Sequence, residues 1–239
     1  MGWSRLLLGA LAAITAAAGA SPLAAPARAA TSPPTTRRYT VAAMGDSLTD
    51  PKSHGGKYLE VLRKRCPKSR FDSYGVGGQM VNQMRRRFAR DVLGEPPDPD
   101  EPKPKYTHVL ILGGINDICS DRSARRTNDK IKRDLSAMYR MAQERDIEVI
   151  ALTMPPWGGF KRYYNRRREA STLYLNQWIR AQVGAGTVDV IFDTYPIMSC
   201  GRPTHLCDRY GWPDRVHWNK EGHRVVGEAL HRAVFADCE

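Results

Sequence analysis

The sequence predicts an α/β fold, a five-stranded parallel sheet with helices on both faces. Three observations carry that prediction. Five short apolar runs alternate with longer stretches whose apolar residues recur every three or four positions. Parallel strands need such helical crossovers between them. The 239 residues suit one sizeable domain, and neither an internal repeat nor a linker divides them.

The elements follow in order. Tyr39 to Met44 reads as a short buried strand ending at Gly45, and Tyr58 to Arg65 carries Leu59 and Leu62 at helical spacing. Arg70 to Tyr74 is a second strand. Gln79 to Leu93 has Met80, Met84 and Phe88 on one helical face. A proline-rich acidic loop, Gly94 to Lys105, leads into the clearest strand, Thr107 to Leu112. Asn128 to Glu144 places Ile131, Leu135, Met138 and Met141 on one face of a helix, and Ile147 to Thr153 is the fourth strand. Arg167 to Val183 is helical, Val188 to Phe192 is the fifth strand, and Lys220 to Phe235 is the last helix.

Residues 1–29 read as a secretory signal peptide. Arg5 supplies a positive start, Leu6 to Ala20 is apolar and uncharged, and Ser21-Pro22 breaks the run. Ala27-Arg28-Ala29 then puts small residues at the positions a signal peptidase reads. The apolar run is short and alanine-rich for a membrane anchor. Cleavage near Ala29 is expected to release residues 30–239 as one exported domain. In an oxidising destination the five cysteines favour disulfides. Cys200 with Cys207, flanking a short polar loop, is the first expected pair. Cys66 with Cys238, each closing a helix, is the second, which leaves Cys119 over. A zinc site at Cys200, His205 and Cys207 fits no familiar ligand spacing, so no metal and no cofactor is expected.

Lys and Arg number 37 against 25 Asp and Glu, a net charge of +12, of which the leader holds only Arg5 and Arg28. Such a balance favours anionic partners, such as a cell-wall polymer, an acidic glycan or a membrane surface. Arg85-Arg86-Arg87, Arg125-Arg126 and Arg166-Arg167-Arg168 are either solvated helix faces or part of such a docking surface. No nucleic-acid motif occurs, and export removes the chain from the genome, so no nucleic-acid partner is expected. A monomer is expected.

Sites in parallel sheets form at the carboxyl ends of the strands. Gly45-Asp46-Ser47-Leu48 follows the first strand, Gly75-Val76-Gly77-Gly78 the second, and Gly113-Gly114-Ile115-Asn116-Asp117 the third. A long loop after the fifth ends in Asp214-Arg215-Val216-His217. One edge of the sheet thus collects a serine, an imidazole, a carboxylate and amide donors, the inventory of acyl transfer. Ser47 is the candidate nucleophile, His217 its base, and Asp214 the group that orients the imidazole. The Ser47 and Gly78 backbone N–H groups and the Asn116 amide are the candidate oxyanion donors, with Gly77 a rival to Gly78. Each residue has a plainer reading. Ser47 suits a helix N-cap, Asn116-Asp117 suits the cap of the next helix, and Gly77-Gly78 suits a tight turn. The loop Met154 to Phe160 should share the same edge. Trp157 and Phe160 in it, with His54 near Ser47, are the candidate substrate-binding residues.

The four blocks together resemble the SGNH hydrolases, or GDSL esterases and lipases. Gly-Asp-Ser-Leu at 45–48, the glycine of Val76-Gly77-Gly78, Gly-x-Asn-Asp at 114–117 and Asp-x-x-His at 214–217 occur in the family's order. The resemblance implies a three-layer α/β/α, flavodoxin-like fold and carries the roles above onto Ser47, Gly78, Asn116, Asp214 and His217. Trp218 stands where many members have proline, and is expected to reshape the pocket wall. The implied activity is a metal-independent serine esterase acting on an acylated carbohydrate or lipid, with acetyl or short acyl groups favoured. A lipase or lysophospholipase of the same fold, and a silent module that binds anionic polymers, remain the alternatives.

Overall fold

The computed structural model describes residues 36–239. The leader expected at 1–29 lies outside the described residues. Five strands, β1 (Thr40–Gly45), β2 (Arg70–Gly75), β3 (His108–Leu112), β4 (Glu148–Leu152) and β5 (Val190–Phe192), form one parallel sheet in the order β2-β1-β3-β4-β5. Seven α-helices lie among the described residues: α1 (Lys57–Arg65), α2 (Val81–Phe88), α3 (Ile115–Cys119), α4 (Asn128–Gln143), α5 (Arg166–Ala181), α6 (Thr194–Ser199) and α7 (Lys220–Val234). The chain steps one way from β1 to β2 and the other way from β3 to β5, so right-handed crossovers put their helices on opposite faces. α1 packs with α7 on one face, and α2, α4 and α5 pack on the other.

Local chemistry explains the elements. Val41 to Met44 are all buried because both faces of the central strand are covered. Thr127, Asn165 and Asn219 cap α4, α5 and α7 by accepting the N–H groups of Lys130, Arg168 and Gly222. In α4 the buried stripe is Ile131, Leu135, Met138 and Ala142, the period of a helix against a sheet. The helix expected from Gln79 to Leu93 is shorter. α2 ends at Phe88, and one wider turn, Ala89–Leu93, follows before Gly94 ends it in a left-handed conformation. The short helices α3 and α6 and a 3₁₀ turn at Pro51–Ser53 had no periodic signal, since each spans too few residues to show one.

Cys66–Cys238 and Cys200–Cys207 are both disulfides, and Cys119 is free. The first ties the end of α1 to the chain terminus beyond α7.

The register sets up the site. Gly45 pairs with Gly75 on one side and with Leu112 on the other. The loops after β1, β2 and β3 therefore leave the sheet at one level. The connections run in opposite directions from this point, which opens a crevice between the ends of β1 and β3.

Candidate active site

Ser47 sits on the tight turn after β1. The Asp46 carbonyl accepts the N–H groups of Thr49 and Asp50, and its carboxylate accepts that of Leu48 at 3.0 Å. Asp46 is 2% exposed, and burial pushes its carboxyl up to about 6, an effect only partly offset by the Leu48 N–H. Ser47 itself is half-buried and faces a cleft of about 510 Å³.

Ser47, His217 and Asp214 form one line of hydrogen bonds. Ser47 Oγ lies 2.8 Å from His217 Nε2, and His217 Nδ1 lies 2.7 Å from Asp214 Oδ2. The second oxygen of Asp214 accepts the backbone N–H groups of Val216 and His217, each at 3.0 Å. Burial alone would raise the Asp214 carboxyl. The Val216 N–H, the imidazole and the His217 N–H outweigh it and hold the group below its usual range. The turn between them passes through Arg215 at φ 66°, and the loop is tied back by Trp212 N–H to the His217 carbonyl.

Amide donors face the same cleft. Gly77 N–H is already given to Asp50 Oδ2 at 2.9 Å. Gly78 N–H has no partner among the described residues, so of the two rivals it is the one with a free amide. Gly78 sits at φ 75°, the left-handed region that favours glycine, with open space where a Cβ would stand. Asn116 Nδ2 lines the cleft and donates to Gln79 O at 3.0 Å and to Asp46 Oδ2 at 3.2 Å.

Other expectations are corrected. Trp157 does not line the cleft. Its ring is fully buried, its Nε1 donates to Thr172 Oγ1 at 3.0 Å, and Tyr164 packs edge-on against it. An indole with an internal hydroxyl partner loses nothing by burial. His54 is exposed at the end of the 3₁₀ turn and is not a cleft residue. Phe160 is the member of that trio that lines the cleft, as Val76 and Ile115 also do. Trp218 is buried against Tyr58 and His223, so it shapes the core behind the loop rather than the pocket wall. Asp117 does not cap its own helix. It accepts the Val81 N–H at 2.8 Å and an Arg126 hydrogen bond at 2.6 Å, joining α3 to the start of α2.

Several positioning groups gave no sequence signal of their own. Asp50 binds Lys52 N–H, Ser53 Oγ and Gly77 N–H, and those bonds overcome burial to keep its carboxyl below the usual range. The Asp50-Pro51 pair, a common turn opening, was the available clue. Arg87 is buried and donates to the carbonyls of Gly45 and Tyr74, to Gln79 Oε1 and to Asp91. Arg126 bridges Asp117 and Asp134, while Arg167 and Arg168 both reach Asp121. Arg87, Arg126 and Arg168 are internal ties, whereas Arg167 is an exposed side chain paired with Asp121. Cys119 also borders the cleft, and burial pushes its thiol up to about 12, so it stays protonated and inert.

A profile of the GDSL-like lipase/acylhydrolase family matches residues 43–225. No curated protein matches the chain. Solved structures do. A GDSL-like lipase from Bacteroides thetaiotaomicron superposes with a TM-score of 0.66 at 22% identity, over 83% of this chain and 88% of its own. A lipase/acylhydrolase from Enterococcus faecalis gives 0.65 at 19%, over 84% and 97%. A catalytic mutant of an acetylxylan esterase from Geobacillus stearothermophilus gives 0.63 at 17%, over 81% and 93%. At these identities the superpositions establish the three-layer fold, and the profile establishes the kinship. The chain belongs to the GDSL-like lipase/acylhydrolase family and is a carboxylic ester hydrolase.

Proposed function

We propose that the protein is a secreted serine esterase that removes acetyl or other short acyl groups from a carbohydrate. The observation that carries the mechanism is the continuous line from Ser47 Oγ through His217 to Asp214, at 2.8 and 2.7 Å. His217 Nε2 takes the Ser47 proton as Oγ attacks the ester carbonyl, and Asp214 holds the imidazolium that forms. The tetrahedral oxyanion is met by the N–H groups of Ser47 and Gly78 and by Asn116. Asn116 gives up its longer bond, that to Asp46, to make this contact. His217 then protonates the leaving alcohol, an acyl group remains on Ser47, and water attacks it by the same route in reverse.

The substrate reading rests on the surroundings of the cleft. Among the described residues the exposed large hydrophobics are Val76, Leu173, Tyr174, Val183 and Trp212, and of these Val76 alone lines the cleft. A lipase working at an interface needs a contiguous apolar face around its site. The fold is shared with lipases and with an acetylxylan esterase alike, so the choice rests on the cleft. Two disulfides suit an oxidising destination and so support export. The test is hydrolysis of p-nitrophenyl esters from acetyl to palmitoyl, and of acetylated sugars, by the mature chain beside Ser47→Ala. A rate that falls with acyl length and vanishes in the variant is expected. A preference for palmitoyl over acetyl would sink the short-chain reading.

A further inference from the structure

A second cavity, of about 680 Å³, adjoins the cleft that holds Ser47. It lies between the end of β2, the 3₁₀ turn, the end of α2 and the acidic loop that follows it. The two cavities share Asp50 and Val76 in their linings, so they lie side by side at these two residues. Neither the triad nor the oxyanion donors use the chamber.

Its chemistry differs from that of the whole chain. The protein carries a net charge of +12, yet the chamber is lined by four basic and four acidic side chains. Most of these charges are paired. Arg87 and Arg90 each lie 2.7 Å from Asp91, and Lys103 lies 2.6 Å from Glu101. A polyanion gains nothing from a locally neutral wall. An alkyl chain would strip water from these ion pairs without replacing its hydrogen bonds. A neutral polyol offers both donors and acceptors along its length. The apolar parts of Tyr74, Val76, Pro51 and Pro96 give its ring faces something to rest on. Lys103 Nζ stands 5.6 Å from the centre of the Tyr74 ring and brings a cation to the same wall.

We infer that this chamber is a glycan subsite, which binds neutral sugar residues next to the one whose ester lies at Ser47. The inference rests on the carbohydrate-esterase reading above and names where its polymer chain runs. Binding energy gained there is remote from the reacting bond, so it favours oligomeric over monomeric substrates without touching the triad.

The test uses the mature chain and two variants, Lys52→Ala and Lys103→Met. Their kcat/KM is measured for p-nitrophenyl acetate, for an acetylated xylose monomer and for acetylated xylotetraose. The wild type should prefer the acetylated tetramer to the monomer by about tenfold or more. Each variant should lose most of that preference and hold p-nitrophenyl acetate turnover within about twofold. Equal treatment of monomer and tetramer by the wild type overturns the subsite, as does a matching loss on all three esters. Deacetylated xylotetraose is also titrated into Ser47→Ala, beside a tetragalacturonate control. Saturable binding of the neutral tetramer, weakened by Lys103→Met, supports the subsite. Tighter binding of the acidic tetramer overturns it. If no sugar ester is cleaved while p-nitrophenyl acetate is, the carbohydrate reading has failed, and the titration still decides the chamber.

Discussion

Asp50 Oδ2 accepts the Gly77 N–H at 2.9 Å, and this bond decides which of two adjacent glycines keeps a free amide in the cleft. It also pins the loop after β2 to the turn after β1. Loss of this tie should loosen the Gly78 donor without removing it. Asp50→Ala is expected to lower kcat about tenfold with little change in KM, since the donor matters most when the oxyanion forms. Asp50→Asn, which keeps one acceptor, should recover part of the loss. A change confined to KM would contradict the positioning role.

Ser47→Ala and His217→Ala should each reduce kcat by at least about 10⁴-fold, and the double variant should be little worse than either, because the two act as a unit. Asp214→Asn should fall by a similar order. Steady-state kinetics on p-nitrophenyl acetate measures all four. Additive losses would mean that Ser47 and His217 act in separate steps.

Asn116→Ala removes one proposed oxyanion donor and should cost about 10²–10³ in kcat. Gly78→Ala leaves the N–H in place but forces a Cβ into a left-handed backbone, which costs about 1–2 kcal/mol of stability or displaces the loop. The two variants therefore separate by thermal unfolding as well as by rate. Asn116→Ala should keep the wild-type midpoint, and Gly78→Ala should melt earlier.

The buried Asp46 carboxyl gives a pH dependence of known sign. Its folded value of about 6 stands above the ordinary 3.8, so between these values the folded chain binds the proton that the unfolded chain has lost. Stability due to this group therefore falls as pH rises from about 4 to about 6. Measured against Asp46→Asn, the wild type should lose about 3 kcal/mol across that window. Asp214 and Asp50 are held low and work in the opposite sense, losing stability as pH falls below the ordinary carboxylate range. Chemical denaturation of both proteins at pH 4, 5, 6 and 7 isolates the Asp46 contribution, and a parallel pair of curves would refute it.

The two disulfides should differ in worth. Cys66–Cys238 closes a separation of 172 residues and Cys200–Cys207 one of 7. The loss of unfolded-state entropy grows with loop length, so Cys66→Ser with Cys238→Ser should cost about 3 kcal/mol more than the corresponding change at the short loop. Denaturant midpoints of the two double variants give the comparison.

Much of the site was legible because its chemistry is written in short contiguous blocks. Ser47 follows the first strand, Asn116 follows the third, and Asp214 and His217 lie three apart, so the blocks could be read as following predicted strands. The aromatic loop misled for a physical reason. Nothing in Met154 to Phe160 says which ring turns inward, and Trp157 did so because Thr172 on α5 offers its indole a buried acceptor. Trp218 likewise turned toward Tyr58 on α1. In the arginine runs Arg85, Arg86, Arg125, Arg166 and Arg167 are exposed, as a solvated face predicts, whereas Arg87, Arg126 and Arg168 turn inward to Asp91, Asp117, Asp134 and Asp121, partners recognisable only after folding.

The sequence alone determined the alternation of strand and helix and the order of the four family blocks, since each depends on periodicity or on residue type within one segment. The tertiary structure alone decided which amide stays free, which aromatic lines the cleft and where a neighbouring chamber opens. Those outcomes depend on groups from different segments competing for one partner. Gly77 loses its amide to Asp50 only when the loops after β1 and β2 leave the sheet at the same level, and the pairing of Gly45 with Gly75 sets that level.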